Sequence, residues 1–207
     1  MKFSHLIIIF AAISISGCTV DSLQEKTIPK SALDLYGSEH KVTLYSKTNP
    51  QGKAASAFNN FKKGGREGKG YYGAFAYSVG SGRAYGAHTG YNTLKIARES
   101  ALAGCSSYRK KGGAPCEIIA TLTPRGYVNK QKMTFSKNAT NALRKQENQT
   151  KYRAFAINDA GYFYRGSEYE TQKYANLDVL EGCNLHAKSK TPRHQKLYPC
   201  YLVSEEL

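Results

Sequence analysis

Two stretches of the chain set small, apolar and aromatic residues in the same order. The first is Tyr72-Gly73-Ala74-Phe75-Ala76-Tyr77 and the second is Tyr152-Arg153-Ala154-Phe155-Ala156-Ile157. Each is a short β-rich run. A turn containing glycine follows (Ser78 to Gly82, Asn158 to Gly161), then a second aromatic run (Arg83 to Gly86, Tyr162 to Gly166). That order predicts a hairpin in both places.

The pattern then changes period. Ala97, Ala101 and Cys105 recur every four residues, with Leu94 on the same side, and Ala175, Val179 and Cys183 repeat them 78 positions later. Residues four apart share one face of a helix, and small residues on that face let the helix lie close to its hairpin. Thr93 and Thr171 stand where an N-cap belongs. Gly104 and Gly182, just before the cysteines, predict that each helix ends there. Polar loops follow (Ser106 to Ala114, Asn184 to Tyr198). After them come Pro115-Cys116-Glu117-Ile118-Ile119-Ala120 and Pro199-Cys200-Tyr201-Leu202-Val203, each a Pro-Cys pair leading into a strand.

The predicted fold is therefore α+β. It has two tandem β-β-α-β units, residues 71–123 and 152–207, packed as one pseudo-symmetric domain. Residues 124–151 read as a basic connecting segment, with a helix within Thr134 to Gln149. Residues 18–70 read as a tether and N-terminal extension, the tether covering 19–40. Within the extension, Lys41 to Tyr45 predicts a strand and Ala54 to Phe61 a short helix.

Residues 1–17 have another character. Lys2 precedes the apolar run Leu6 to Ile15, and Ser16-Gly17-Cys18 follows. A basic start, an apolar run of about ten residues and a small-residue site read as a secretory signal. The run is too short to span a membrane, which takes about 20 apolar residues. Ile15-Ser16-Gly17-Cys18 also resembles a bacterial lipobox. The resemblance implies cleavage before Cys18, acylation of its thiol and new amine (a palmitate among the acyl groups), and a membrane partner held through that lipid. Thr19, rather than Asp, implies sorting to the outer membrane. Several acyl chains anchor stably where one does so only marginally.

Acylation of Cys18 leaves four cysteines, Cys105, Cys116, Cys183 and Cys200, in an exported chain. That number implies two disulfides, and four cysteines allow three connectivities. The repeat favours Cys105–Cys116 and Cys183–Cys200, one bridge per unit. A bridge between copies, Cys105 to Cys183, is the competing arrangement. A unit of about 50 residues buries little apolar surface, so a bridge matters to it.

The net charge of +15 is unevenly placed. Residues 53–151 carry 18 Lys and Arg against four Glu, a net of +14, while 18–52 and 152–207 are each neutral. The densest basic parts hold Lys62, Lys63, Arg66 and Lys69, then Arg109, Lys110 and Lys111. Such a field attracts polyanions or anionic surfaces, and it equally suits a solvated face.

The phrase Ala-Phe-Ala-x-Ser, a glycine turn and Ala-x3-Ala-Leu-x2-Cys with a later Cys resembles a widespread bacterial domain of unknown function found in small exported proteins. Ala97, Ala101, Leu102, Cys105 and Cys116 match it well. The second copy departs from it, with Val179 and Leu180 and a longer loop before Cys200. The resemblance covers roughly residues 72–122, and 152–203 weakly, and it implies no activity.

No catalytic constellation stands out. His186 and His194 have no zinc spacing, and His40 and His88 stand singly. Glu99 and Asp178 are lone carboxylates on their helices. Gly80-Ser81-Gly82 opens no helix and is not a phosphate cradle. The expectation is a non-enzymatic envelope lipoprotein with no catalytic residue, metal or cofactor, whose basic half binds an anionic polymer such as a polysaccharide, lipopolysaccharide or nucleic acid. The alternative is a lipoprotein that docks on another envelope protein, as an inhibitor or assembly factor, through the second copy and its Tyr162-Phe163-Tyr164 run. The tyrosines of the first copy (Tyr71, Tyr72, Tyr77, Tyr85, Tyr91) suit ligand stacking or strand packing.

Overall fold

Strand alternation explains the shared Ala-Phe-Ala phrase. In the computed structural model, Ala74 and Ala76 face one way and Phe75 and Tyr77 the other, and Ala154/Ala156 and Phe155/Ile157 repeat the division. The alanine face receives a long helix at close range, and the bulky face receives a second, shorter helix. The structure describes residues 26–65, 71–79, 84–128, 133–149, 151–193 and 195–204. The signal segment and Cys18 lie outside these residues, as do Arg66, Lys69 and His194.

Along the described chain come β1 (Thr27–Pro29), β2 (Leu33–Asp34), β3 (His40–Leu44), α1 (Lys53–Lys62), β4 (Gly73–Ser78), β5 (Tyr85–His88), α2 (Leu94–Tyr108) and β6 (Cys116–Pro124). Then follow β7 (Met133–Thr134), α3 (Lys137–Glu147), β8 (Tyr152–Ile157), β9 (Phe163–Tyr169), α4 (Gln172–Lys190) and β10 (Tyr201–Ser204). The two β-β-α-β units are β4-β5-α2-β6 and β8-β9-α4-β10.

Each unit gains a fourth strand from the N-terminal region. The first sheet has the order β3-β6-β4-β5, and the second β1-β10-β8-β9. β3 joins β6 antiparallel, Val42 opposite Leu122, and β1 joins β10 parallel, Thr27 opposite Leu202. β2 pairs with β7, which ties the same arm to the segment before α3. Residues 27–40 are thus part of the fold, where the sequence predicted a tether. A strand of two or three residues has no alternation to detect, and its partner lies far along the chain.

The basic connecting segment likewise belongs to the second unit. Ala139 and Leu143 of α3 pack on Phe135, Phe155 and Ile157, as Ala54, Phe58 and Phe61 of α1 pack on Phe75 and Tyr77. Phe75 sits edge-on to Phe58 and Phe61, with centroids 5.0 and 5.6 Å away, and Phe155 stacks between Phe135 and Phe163. Burial of each such ring contributes about 2–3 kcal/mol. The structural repeat is therefore α-β-β-α-β, longer than the one read from sequence.

The long helices start as expected. The Thr93 hydroxyl accepts from the Ile96 amide and the Thr171 hydroxyl from the Tyr174 amide. They end later than predicted, α2 three residues past Cys105 and α4 seven past Cys183. Gly104 and Gly182 are contact points rather than stops. In the first unit β5 touches α2 at Gly86, where an added Cβ would lie 2.0 Å from the Ala101 carbonyl oxygen. In the second unit Tyr164 fills that place, and it is Gly182 that makes room, its ideal Cβ 2.8 Å from the ring.

The disulfides are Cys105–Cys116 and Cys183–Cys200, each with Cα atoms 6.1 Å apart. Each ties a long helix to the start of its unit's last strand, and the arrangement between copies does not occur.

Candidate functional site

Of the seven basic residues singled out in the sequence, the five described ones, Lys62, Lys63, Arg109, Lys110 and Lys111, do not form one site. Lys62 and Lys63 are exposed at the end of α1, where the Lys62 carbonyl meets the His40 ring nitrogen at 3.2 Å. His40 pairs with Pro124, the last residue of β6. Arg109, Lys110 and Lys111 are exposed at the other end of that strand, in the loop that enters it at Cys116. There Arg109 donates to the Gly113 carbonyl at 2.7 Å. β6 runs about 26 Å from Cys116 to Pro124 at ~3.3 Å per residue, and the two clusters lie toward its opposite ends.

Lys62 turns its ammonium over Phe58, 5.0 Å from the ring centre, on the β3 side of α1, and a groove opens on the other side of that helix. It runs between α1 and the edge strand β5, has a volume of about 790 Å³, and is lined by Lys53, Ser56 and Asn60 of the helix facing Tyr85, His88 and Thr89, with Phe61 below. Lys53, Ser56 and Asn60 fall at three- and four-residue spacing, so one stripe of α1 supplies an ammonium, a hydroxyl and an amide. Tyr85 stacks one ring face on Phe75, 5.7 Å between centroids and 4° between planes, so the groove wall is rigid there. Among the described residues, none that lines it is acidic. The sequence signal for this site was the polar stripe of α1. Its opposite wall is 25 or more residues away and could not be read locally.

The other tyrosines of the first copy serve the fold. Tyr71, Tyr72, Tyr77 and Tyr91 are buried. Tyr91 donates to Gln195 of the second unit at 3.1 Å, and burial pushes its phenol up to about 12. Tyr162-Phe163-Tyr164 is also structural. Tyr162 donates to the Lys190 carbonyl at 3.0 Å, Phe163 stacks on Phe155, and Tyr164 lies against Gly182. His186 packs edge-on against Tyr162, and the Tyr169 hydroxyl donates to Asp178 at 2.6 Å.

A second groove lies on the outer side of α4. Leu177, Leu180 and Leu185 line it, and Leu197, Tyr198 and Pro199 close it. Among the described residues no group of three His, Cys, Asp or Glu side chains is placed to hold a metal ion. No described helix is long and apolar enough to cross a membrane. Compared with protein-family models, curated proteins and solved structures, the chain matches none.

Proposed function

We propose that this chain is a non-enzymatic envelope lipoprotein that binds an anionic polymer in the α1–β5 groove, with acidic polysaccharide the class that suits it best. The observation that carries this is the groove's chemistry. It offers hydroxyl, amide and aromatic groups, which suit sugar hydroxyls and ring faces, and an exposed ammonium for a carboxylate, with no acidic side chain among the described lining residues. Lys62 and Lys63, exposed at the end of α1, do not line the groove but add to the positive field around that helix. Acylation of Cys18 would hold the protein at the outer membrane.

The test is binding of the processed chain to polygalacturonate and to neutral dextran over a salt series. Affinity for the acidic polymer should fall steeply with salt. Joint replacement of Lys53, Lys62 and Lys63 by Ala should weaken it by more than about tenfold, at roughly 1 kcal/mol per lysine. Replacement of Arg109, Lys110 and Lys111 should matter less. Equal affinity for dextran, or an unchanged triple-lysine variant, would remove the reading. The anchor is tested separately, by mass spectrometry of the N-terminal peptide. An intact peptide running through an unmodified Cys18 would reject it.

A further inference from the structure

The outer face of α4 carries Leu177, Leu180 and Leu185 among Glu181, Asn184 and Lys188. Leu177 and Leu185 are 54% and 60% exposed, Tyr174 stands beside them, and Leu197, 49% exposed, faces them across a groove of about 810 Å³. This face lies opposite Ala175, Val179, Cys183 and Ala187, which hold the helix to its sheet.

The first unit provides an internal control. The 78-residue offset that superposes Thr93 on Thr171 and Cys105 on Cys183 puts Glu99 at the place of Leu177 and Ser107 at that of Leu185. The same helix in the same fold is therefore stable with polar residues there. Packing does not explain the leucines, and contiguous exposed apolar surface marks an interaction site.

We infer that this face is a membrane-contact surface, which seats the second unit on the lipid that anchors the chain. The inference rests on the reading of Cys18 as the acylated residue. Two observations favour lipid over other occupants. First, the chain enters the fold at Lys26, whose carbonyl accepts from the Leu202 amide at 3.2 Å and whose ammonium lies 4.7 Å from the Tyr201 ring centre. Entry is thus at the β1 edge of the second sheet, whose β8 and β9 carry α4. The eight residues from Cys18 span at most about 28 Å, so an anchored chain keeps this unit next to the bilayer. Second, exposed Lys188 lines the groove, and exposed Lys173 and Lys196 stand respectively four residues from Leu177 and next to Leu197. Leucine and tyrosine at the acyl boundary with lysine ammonium groups reaching phosphates is how interfacial helices bind. Among the described residues, Glu181 is the one acidic side chain lining the groove.

The test is hydroxyl-radical footprinting of the acylated chain in phosphatidylethanolamine–phosphatidylglycerol vesicles. The reference is the chain from Thr19, which holds every described element, free in buffer. Oxidation of Tyr174, Leu177, Leu185 and Leu197 should fall severalfold on the vesicles, while that of Tyr108 on α2 should not. In flotation with the same vesicles, the chain from Thr19 should lose at least about tenfold of its partitioning on L177S/L185S. An anchored chain with these side chains equally oxidised would overturn the inference and leave the anchor standing. Protection that appears only when one stoichiometric envelope protein is added would overturn it in favour of a protein partner. Unmodified Cys18 in a chain that still partitions through the leucines would remove the anchor and leave the surface.

Discussion

The side-chain amide of Asn92 donates to the main-chain carbonyl of Asn158 at 2.6 Å, across the seam between the two units. Its carbonyl oxygen accepts from the Ser136 amide at 2.8 Å, at the start of α3. Asn92 is 1% exposed, so neither partner has water as a substitute. Asn92→Ala should therefore leave the buried Ser136 amide unpaired, at about 1–3 kcal/mol, while the Asn158 carbonyl keeps the Gly161 amide at 3.0 Å. Denaturant unfolding checks this. A loss under 1 kcal/mol would show that the seam repacks.

Opposite solutions at the helix–strand contact give opposite sensitivities. Gly86→Ala sets a methyl against helix backbone, which cannot swing away, and should cost more than about 3 kcal/mol. Gly182→Ala meets a tyrosine ring that is partly solvent-exposed, and should cost about 1–2 kcal/mol. Equal thermal shifts for the two variants would contradict the packing described.

Loss of either disulfide, by paired Cys→Ser replacement, should lower stability by about 3 kcal/mol, because loops of 11 and 17 residues differ little in closure entropy. Peptide mapping without reduction should recover Cys105 with Cys116 and Cys183 with Cys200. A recovered Cys105–Cys183 peptide would refute the pairing.

High pH should unfold the protein through its buried tyrosines. Burial raises the phenols of Tyr72, Tyr91 and Tyr201, and Asp159 adds to the effect at Tyr201. A raised folded pKa means that the folded state keeps a proton the unfolded chain releases. Stability is full below pH 10 and falls as pH rises above it. For Tyr91 the loss is about 3 kcal/mol by pH 12. Tyrosinate absorbance should rise together with loss of structure, and Tyr91→Phe should flatten part of the fall. A stability flat from pH 9 to pH 12 would rule this out.

What the sequence showed was whatever repeated locally. The hairpins, the capped helices, the cysteine faces and the pairing of the cysteines all followed from a phrase written twice. α1 and α3 escaped as repeat members because only spacing is shared, Ala54/Phe58/Phe61 against Ala139/Leu143/Gln146, all buried. Their residue types differ. Gly104 and Gly182 resembled stop signals because glycine marks both helix ends and close approaches, and only the partner, His88 and Gly86 or Tyr164, tells which. The charge count was right about the basic half but silent on geometry, since β6 parts Lys62 from Arg109. The α1–β5 groove needed Tyr85 to be placed opposite Asn60, which is tertiary information.

The pairing of β1 with β10 sets an order on assembly. Thr27 meets Leu202 across almost the whole chain, and so distant a contact closes a large loop before it gains anything. The first unit holds its whole sheet within residues 40–124, so it can form while the rest is still being made. The second sheet stays without its inner strand β10, and β1 without a partner, until the final residues arrive. During synthesis the second sheet would thus stay open after the first has closed, and the arrival of Tyr201 to Ser204 would latch β1 onto the second unit.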